Sequence, residues 1–101
     1  RGTSVISETF LKDGRAEIIE LIVSIDSPLI RKQLKALRLS AQGIIIGGIL
    51  RNRKAIIPRG NDIILPQDRL IVFTQPQNIK QVERLFCDSE SAKRYGRMIS
   101  N

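Results

Sequence analysis

The side chains that most often carry out catalysis are scarce in this sequence. It contains no histidine and one cysteine, Cys87, so the commonest general base and the commonest metal ligand are both missing. Without a histidine to activate it, Cys87 is expected to be a small hydrophobic residue or a free surface thiol. One cysteine without histidine cannot form a zinc site. We therefore predict that the chain is not an enzyme.

The carboxylates do not form an evident catalytic pair either. Glu17 and Glu20 fall on opposite faces of a strand if the side chains alternate. Asp68 follows Pro66 in a predicted turn, where its side chain can accept a hydrogen bond from a backbone N–H. We expect a structural role for Asp68.

Three glycines, Gly43, Gly47 and Gly48, are candidates for a phosphate-binding loop. Their spacing is not G-x-G-x-x-G and no Gly-Lys-Ser/Thr follows. Isoleucines fill the gaps, and glycine within a strand usually marks a bulge or the close approach of another backbone. We expect close approach by a partner subunit or a ligand rather than phosphate binding.

The chain is strongly basic, with 17 basic and 10 acidic residues and a formal net charge of +7. This charge raises the question of nucleic-acid binding. The tightest basic groups are Arg31-Lys32-Lys35-Arg38 and Arg51-Arg53-Lys54, but aromatic residues make up only 4% of the chain, which leaves few platforms for stacked bases. The sequence favours a solvated basic surface, with polyanion binding as the alternative.

Size and composition indicate one globular domain. The chain has 101 residues, of which 42% are hydrophobic, enough for one core. No apolar run approaches the ~18 residues of a membrane span, and the N-terminus lacks a signal-peptide pattern. A single cysteine excludes an internal disulfide and fits a reducing compartment, so we expect a cytoplasmic location.

The first part of the chain predicts a β-hairpin and a helix. Two strand-like runs within residues 5–24 flank a tight-turn signal, Asp13-Gly14. Asp26-Ser27-Pro28 is a typical helix start. The spacing predicts a short amphipathic helix over about residues 28–37, with Ile30, Leu34 and Leu37 on its apolar face.

The second part predicts three more strands and a second helix. The apolar runs cover residues 43–50, 55–57 and 69–74, and turn formers separate them at residues 51–54, 58–61 and 66–68. From Pro76 a helical pattern begins, with Ile79, Val82, Leu85 and Phe86 on one face. The order β-β-α-β-β-β-α predicts an α+β fold with a small antiparallel or mixed β-sheet and two short helices. Residues 1–86 form the predicted domain, and residues 87–101 a polar extension.

These residues stand in a familiar order. The segment "SPLIRKQLKALRLSAQGIIIGGILRNRKAIIPRGNDIILPQDRLIVF" resembles the C-terminal domain of TrkA-type potassium-transport regulators, the RCK-C or TrkA-C domain. That family has a Ser-Pro helix start, a leucine-rich "LRL", an isoleucine strand, a basic turn, "xIPxG" and "PGDxLxVF". The N-terminal "RGTSVISETFLKDGRAEIIELIV" and the closing "IKQVERLF" agree, so the similarity covers about residues 1–86.

The resemblance implies a cytoplasmic regulatory domain that dimerises, at the inner face of the cell membrane. Such domains follow a Rossmann-like nucleotide-binding domain, where NAD(H) or ATP/ADP is expected, and no cofactor is expected in this domain. The assembled subunits form a ring beneath a membrane potassium transporter or channel, and ligand binding gates ion flux. The alternatives are the same domain in an anion symporter or antiporter, and a basic nucleic-acid-binding module.

Two positions depart from the family. The family's "PGD" is Pro66-Gln67-Asp68 here; because glycine suits a type II turn, Gln67 predicts a type I turn. Members that bind cyclic di-AMP carry an arginine and an asparagine between the first helix and the isoleucine strand. With a one-residue gap, Ser40 and Ile45 stand there, so a charge-assisted phosphate contact is lost and we expect no cyclic di-AMP binding.

Two sets of site residues follow. A continuous apolar strand must be covered on both faces, and a partner chain is the economical cover, which predicts a homodimer. The predicted dimer interface is Ile30, Leu34, Leu37, Ile44, Ile45, Ile46 and Ile49. A small anionic ligand would be bound by a predicted set of Ser40, Gln42, Ile45, Arg51, Arg53, Lys54 and Arg59.

Overall fold

The computed structural model describes the backbone of residues 5–10 and all of residues 16–87. Its elements follow the predicted order β-β-α-β-β-β-α, which confirms the α+β class. They are β1 (Val5–Phe10), β2 (Glu17–Ile22), α1 (Leu34–Leu37), β3 (Ile44–Arg51), β4 (Lys54–Ile56), β5 (Arg69–Thr74) and α2 (Ile79–Phe86), with 3₁₀ turns at Ser40–Gln42 and Pro76–Asn78.

The five strands form one sheet in the order β1-β2-β5-β3-β4. Every neighbouring pair is antiparallel, so the antiparallel prediction is correct. β5 lies at the centre, where Phe73 is opposite Ile18 of β2 on one side and Ile45 of β3 on the other. The pairing of β1 with β2 confirms the predicted hairpin, while its Asp13-Gly14 turn lies outside the described residues.

One face of the sheet forms the core. Alternate residues of the three central strands are buried there with side chains of α2; they are Ile19 and Leu21, Leu70 and Val72, Ile44 and Ile49, and Val82 and Phe86. Ile79 and Leu85 pack against them, as the predicted helix face requires. Cys87 is also fully buried, so it belongs to the core rather than to a polar extension or a surface thiol, and residues 88–101 lie outside the described residues.

The predicted helix over residues 28–37 is wrong in extent. Only Leu34–Leu37 is helical, because the backbone donors of this segment bind the 60–64 segment instead of carbonyls one helical turn earlier. Arg31 N donates to Ile64 O at 2.8 Å and Leu34 N to Asp62 O at 2.9 Å. Arg31 has φ 63°, which interrupts a right-handed helix. The predicted N-cap is therefore also wrong: Ser27 Oγ accepts from Leu29 N at 3.2 Å in a local turn, and the helix that does form begins after Gln33 without a side-chain cap.

The Pro66-Gln67 turn also differs from its prediction. Asp68 N donates to Leu65 O at 3.1 Å, and Gln67 has φ 73°, so the turn is type II rather than type I. The positive φ is imposed from outside, because Gln67 N donates to Val23 O at 2.9 Å. Tertiary hydrogen bonding here overrides the local preference of glutamine.

The close approach expected at the glycines comes from the chain itself. A Cβ at Gly47 would lie 2.3 Å from Cε2 of Phe73, so the ring of Phe73 occupies the place where a partner or ligand was expected. The register shifts between Ile46 and Gly48, which places a β-bulge at this glycine. Gly43 precedes the strand with φ 77°. Among the described residues, no helix has the length and apolarity to cross a membrane.

A candidate anion-binding groove

A groove opens where the chain passes from α1 into β3. Its volume is ≈ 270 Å³. One wall is α1 with the following 3₁₀ turn, the floor is the start of β3, and the other wall is the loop after β4. The lining residues are Leu34, Lys35, Arg38, Leu39, Ser40, Ile44, Ile45, Ile46, Pro58, Arg59 and Gly60.

Backbone hydrogen bonds hold the two walls together at one end. Lys35 N donates to Gly60 O at 2.9 Å, next to the bond from Leu34 N to Asp62 O. A Cβ at Gly60 would lie 3.2 Å from Cβ of Lys35, so a larger residue would separate the walls. Asp62 accepts from Arg59 N at 2.6 Å, which fixes the Pro58–Asn61 turn that the sequence predicts.

The groove is cationic over an apolar floor. Lys35, Arg38 and Arg59 line it, and no aspartate or glutamate does. Among the described residues, none of these three side chains has a carboxylate within salt-bridge distance. Three unneutralised charges beside isoleucine side chains suit a small ligand that carries both an anionic group and an apolar part.

Arg51 has a different environment, although it belongs to the same basic stretch. Its Nε and Nη2 donate to the two carboxylate oxygens of Asp68 at 2.8 and 2.7 Å, and Nη2 also donates to Ile63 O at 2.9 Å. The Asp68 side chain is 1% exposed. This hydrogen-bonded carboxylate raises the pKa of Arg51. The structural role predicted for Asp68 is confirmed, and Arg51 shares it.

Comparison with known proteins identifies the domain. The family model of the TrkA-C domain matches residues 18–86. The chain belongs to the TrkA-C family. This confirms the resemblance drawn from the Ser-Pro, isoleucine-strand and Pro-Gln-Asp elements.

Several potassium uptake proteins are similar to this TrkA-C domain. It is 37% identical over 76 residues to the Trk system potassium uptake protein TrkA of Azorhizobium caulinodans, covering 75% of this chain and 16% of that protein. It is 35% identical over 79 residues to a TrkA homolog of Archaeoglobus fulgidus, covering 78% and 18%. The TrkA-C domain therefore spans less than a fifth of the length of these relatives.

Solved structures show the same fold. The GsuK channel matches with a TM-score of 0.67 at 17% identity, covering 86% of this chain and 16% of that one. A structure described as an RCK domain with cda matches with a TM-score of 0.54 at 22% identity, covering 68% and 96%. At these identities the likeness concerns the fold of the TrkA-C domain alone.

The structure brings part of the predicted ligand set together. Ser40, Ile45 and Arg59 line the groove. Arg51 binds Asp68, and Arg53 and Lys54 lie in and after the hairpin turn between β3 and β4, outside the groove lining. Gln42 is directed to α2, where its Oε1 accepts from Gln81 Nε2 at 2.9 Å.

Two groove cations were not in the predicted set. Lys35 and Arg38 belong to one of the two tightest basic groups of the sequence, which was the available signal. A helix over residues 28–37 would have directed them away from the apolar face. The short α1, ended by Arg38 with φ 51°, instead places both along the groove.

The predicted dimer residues do not form one surface of the TrkA-C domain. Ile44 and Ile49 are buried in the monomer core at 0% and 1% exposure, whereas Ile45 is 56% exposed on the opposite face. The other four, Ile30, Leu34, Leu37 and Ile46, are half-buried and pack against the core. Side chains alternate along β3, so a single seam cannot include all its isoleucines.

Proposed function

We propose that this TrkA-C domain is a regulatory, non-enzymatic part of a potassium transport system, acting at the cytoplasmic face of the membrane as a homodimer. We propose further that it binds a small anionic ligand in the groove between α1 and the loop after β4. The observation that carries this is a set of three cations, Lys35, Arg38 and Arg59, that lie over an isoleucine floor and have no carboxylate partner among the residues the structure describes. The choice of a potassium transport system rests on the TrkA-C family match and on the similarity to potassium uptake proteins.

The groove suggests how a ligand changes the domain. Its cations come from two walls, Lys35 and Arg38 from one and Arg59 from the other, and only an anion between them relieves their mutual repulsion. A ligand shifts a conformational equilibrium only through different affinity for the two states. An anion that draws the walls together therefore favours the closed groove and passes that preference to the rest of the transporter.

Nucleotides are the ligand class to test first, because they combine phosphate with an apolar ring. The groove is at the small end of ligand pockets, so one phosphate and one base fit it better than a larger molecule. Arg38 lies close to the segment where Ser40 replaces the family's arginine, so cyclic di-AMP belongs in the same test. NAD(H) or ATP/ADP is proposed for a separate nucleotide-binding domain of the whole protein.

Thermal unfolding of the chain with cyclic di-AMP, ATP, ADP or NADH, at low and moderate salt, tests the ligand proposal. Ligand at ~100 times its dissociation constant adds about 2.7 kcal/mol to the free energy of unfolding, which moves the melting temperature by on the order of 10 °C. A shift with one nucleotide that survives moderate salt supports the proposal. The absence of any salt-resistant shift contradicts it.

Paired substitutions locate the site. Lys35→Ala removes a groove cation, and Lys32→Ala removes the same charge from an exposed position that does not line the groove. The ligand-dependent shift is expected to fall in Lys35→Ala and Arg38→Ala and to stay unchanged in Lys32→Ala. Equal losses in all three would indicate general charge attraction, the behaviour of the alternative nucleic-acid-binding module.

A further inference from the structure

The positive charge of the chain comes from one continuous stretch of sequence. Residues 27–61 contain eight basic residues and no aspartate or glutamate, whereas the rest of the chain contains nine basic and ten acidic residues. Arg51 is paired with Asp68. The other seven are exposed, and none has a carboxylate within salt-bridge distance among the described residues; they are Arg31, Lys32, Lys35, Arg38, Arg53, Lys54 and Arg59. Only three of the seven line the groove, so an anion bound there does not account for this charge.

The fold gathers this stretch on one side of the domain. It supplies α1, β3 and the edge strand β4. Arg31 N donates to Ile64 O at 2.8 Å, and Arg51 Nη2 donates to Ile63 O at 2.9 Å. The two basic groups of the sequence therefore meet at one short segment. We call the surface formed by the seven exposed cations the basic side.

One carboxylate belongs to the segment where the two groups meet. Asp62 is half-buried, and its Oδ2 accepts from Arg59 N at 2.6 Å. Asp68 is buried and already bonded to Arg51. These two carboxylates leave the basic side with a large excess of positive charge, because seven exposed cations face a single half-buried aspartate.

Exposed isoleucines stand among these cations. Ile57 is 78% exposed, the highest value among the exposed large hydrophobic side chains of the described residues, and it follows β4, between Lys54 and Arg59 in the sequence. Ile45 is 56% exposed and lines the groove together with Pro58, the residue after Ile57. The basic side therefore combines positive charge with aliphatic side chains that are open to solvent.

The surface of an anionic lipid bilayer matches both features. Its headgroups supply negative charge at no fixed spacing, which suits cations spread over two groups, and the boundary between headgroups and acyl chains accepts an aliphatic side chain. A protein partner would have to place its carboxylates to fit both groups. A nucleic acid fits less well, because residues 11–72 contain no aromatic residue on which a base could stack.

We propose that the basic side binds the surface of an anionic lipid bilayer, with Ile57 as a hydrophobic anchor between the headgroups. This inference goes beyond the proposed function, which locates the domain at the membrane without a contact that holds it there. It depends neither on the groove nor on the homodimer. Because lysine and arginine attract acidic lipids over about a Debye length, roughly 8 Å at physiological ionic strength, the binding is expected to weaken as salt is raised.

Co-sedimentation of the 101-residue chain with lipid vesicles tests the cations. Vesicles made of phosphatidylcholine and phosphatidylglycerol in equal parts should bind the chain, whereas vesicles of phosphatidylcholine alone should not. Lys32→Ala and Lys54→Ala each remove one cation, from the first and the second basic group, and each should weaken binding about fivefold. Lys80→Ala is the matched control, because Lys80 is an exposed lysine of α2 outside residues 27–61, and it should leave binding nearly unchanged.

Fluorescence tests the anchor, because the chain contains no tryptophan. In the Ile57→Trp variant, the emission should shift to shorter wavelength when the phosphatidylglycerol vesicles are added, since the indole leaves water. Ile25→Trp is the control, because Ile25 is 68% exposed in the turn after β2 and outside the basic side, and its emission should not shift. Circular dichroism establishes that each variant is folded.

The outcomes separate the possibilities. Weaker vesicle binding in Lys32→Ala and Lys54→Ala but not in Lys80→Ala, with an emission shift in Ile57→Trp alone, supports the proposal. Equal weakening in all three lysine variants overturns it in favour of attraction by net charge, and an unchanged Ile57→Trp emission overturns the anchor. A chain that does not bind the phosphatidylglycerol vesicles overturns the whole proposal. Each of these failures leaves the groove and its nucleotide test intact, because none of the substituted residues lines the groove.

Discussion

Arg51, at the end of β3, and Asp68, in the turn before β5, form a two-point ion pair with N–O distances of 2.8 and 2.7 Å. The same carboxylate accepts from Leu65 N at 2.8 Å, and the same guanidinium donates to Ile63 O. This pair, with Asp68 buried and Arg51 half-buried, thus ties the end of β3 to the irregular segment between β4 and β5. Residues 63–68 belong to no strand, and this pair holds them in place together with the backbone hydrogen bonds from Arg31 N to Ile64 O and from Gln67 N to Val23 O.

Loss of this pair is expected to destabilise the domain. Arg51→Ala leaves the buried Asp68 carboxylate without its charge partner. Because the Arg51 side chain is 26% exposed, the expected cost is about 1–3 kcal/mol, that of an unsatisfied buried acceptor. Lys54→Ala removes the same charge from an exposed position three residues on and is expected to change the free energy of unfolding by less than about 0.5 kcal/mol. Urea denaturation measures both. Similar values for the two variants would refute the structural role of Arg51.

The contribution of Arg51 is also expected to be independent of pH near neutrality. Asp68 raises the pKa of Arg51. A group whose pKa is higher in the folded than in the unfolded protein stabilises the fold fully at pH values below its unfolded-state pKa. That stabilisation is lost only as the pH rises through its folded-state pKa. That loss lies far above neutral pH, because arginine stays protonated there even without the shift. The difference between wild type and Arg51→Ala in urea should therefore be the same at about pH 7 and about pH 9, and a fall over this range would contradict the assignment.

Gln67→Gly is expected to stabilise the protein. Gln67 has φ 73°, where a side chain costs about 1–2 kcal/mol that glycine avoids, less the extra entropy glycine loses on folding. The net gain of about 0.5–1 kcal/mol corresponds to a rise in melting temperature of about 2–8 °C. Gln67→Ala keeps the Cβ and should show no rise. If glycine gives no more stability than alanine, the left-handed conformation of this residue is wrong.

Gly47 and Gly48 are adjacent, yet they are expected to respond differently to alanine. The new Cβ would be 2.3 Å from Phe73 Cε2 at Gly47 but 3.8 Å from its nearest neighbour, Cγ1 of Ile71, at Gly48. Overpacking costs about 1–3 kcal/mol, so Gly47→Ala should lower the free energy of unfolding by that amount and Gly48→Ala by much less. Thermal unfolding compares them.

A second substitution tests whether the Phe73 ring is the cause. In the Phe73→Leu background the penalty of Gly47→Ala should shrink, because the smaller side chain leaves room for the added methyl group. Such coupling is expected of residues in contact. Additive effects of the two substitutions would show that the ring does not lie over this glycine.

Arg53→Gly tests whether the hairpin turn between β3 and β4 contributes to ligand binding in the groove. Asn52 and Arg53 have φ 52° and 67°, the conformation of a type I′ turn, in which Asn-Gly is preferred. The substitution should raise the melting temperature by a few degrees while leaving any nucleotide-dependent shift unchanged, because Arg53 does not line the groove. If the nucleotide-dependent shift of the melting temperature is lost in this variant, Arg53 does belong to the ligand-binding set.

The sequence was sufficient for most of the strands and for α2. Each of these elements buries one face, so its apolar residues recur with the period of the element. The core residues alternate in β2 and β5 and stand four residues apart in α2. The structural role of Asp68 could also be predicted, because an aspartate that follows a proline in a turn has a backbone N–H donor close to its carboxylate. These features depend on residues close in the chain, so a local pattern determines them.

The tertiary structure decided what depended on distant partners. The first helix failed because Arg31, Leu34 and Lys35 donate to carbonyls of residues 60–64, and Gln67 took a left-handed conformation because Val23 accepts its N–H. The groove followed from the same rearrangement, which brought Lys35 and Arg38 opposite Arg59. Residue type and spacing determined which side chains were available to this protein. Backbone hydrogen bonds between residues 25 to 44 positions apart decided which of them meet, because local propensities are weaker than the cost of leaving backbone groups unpaired.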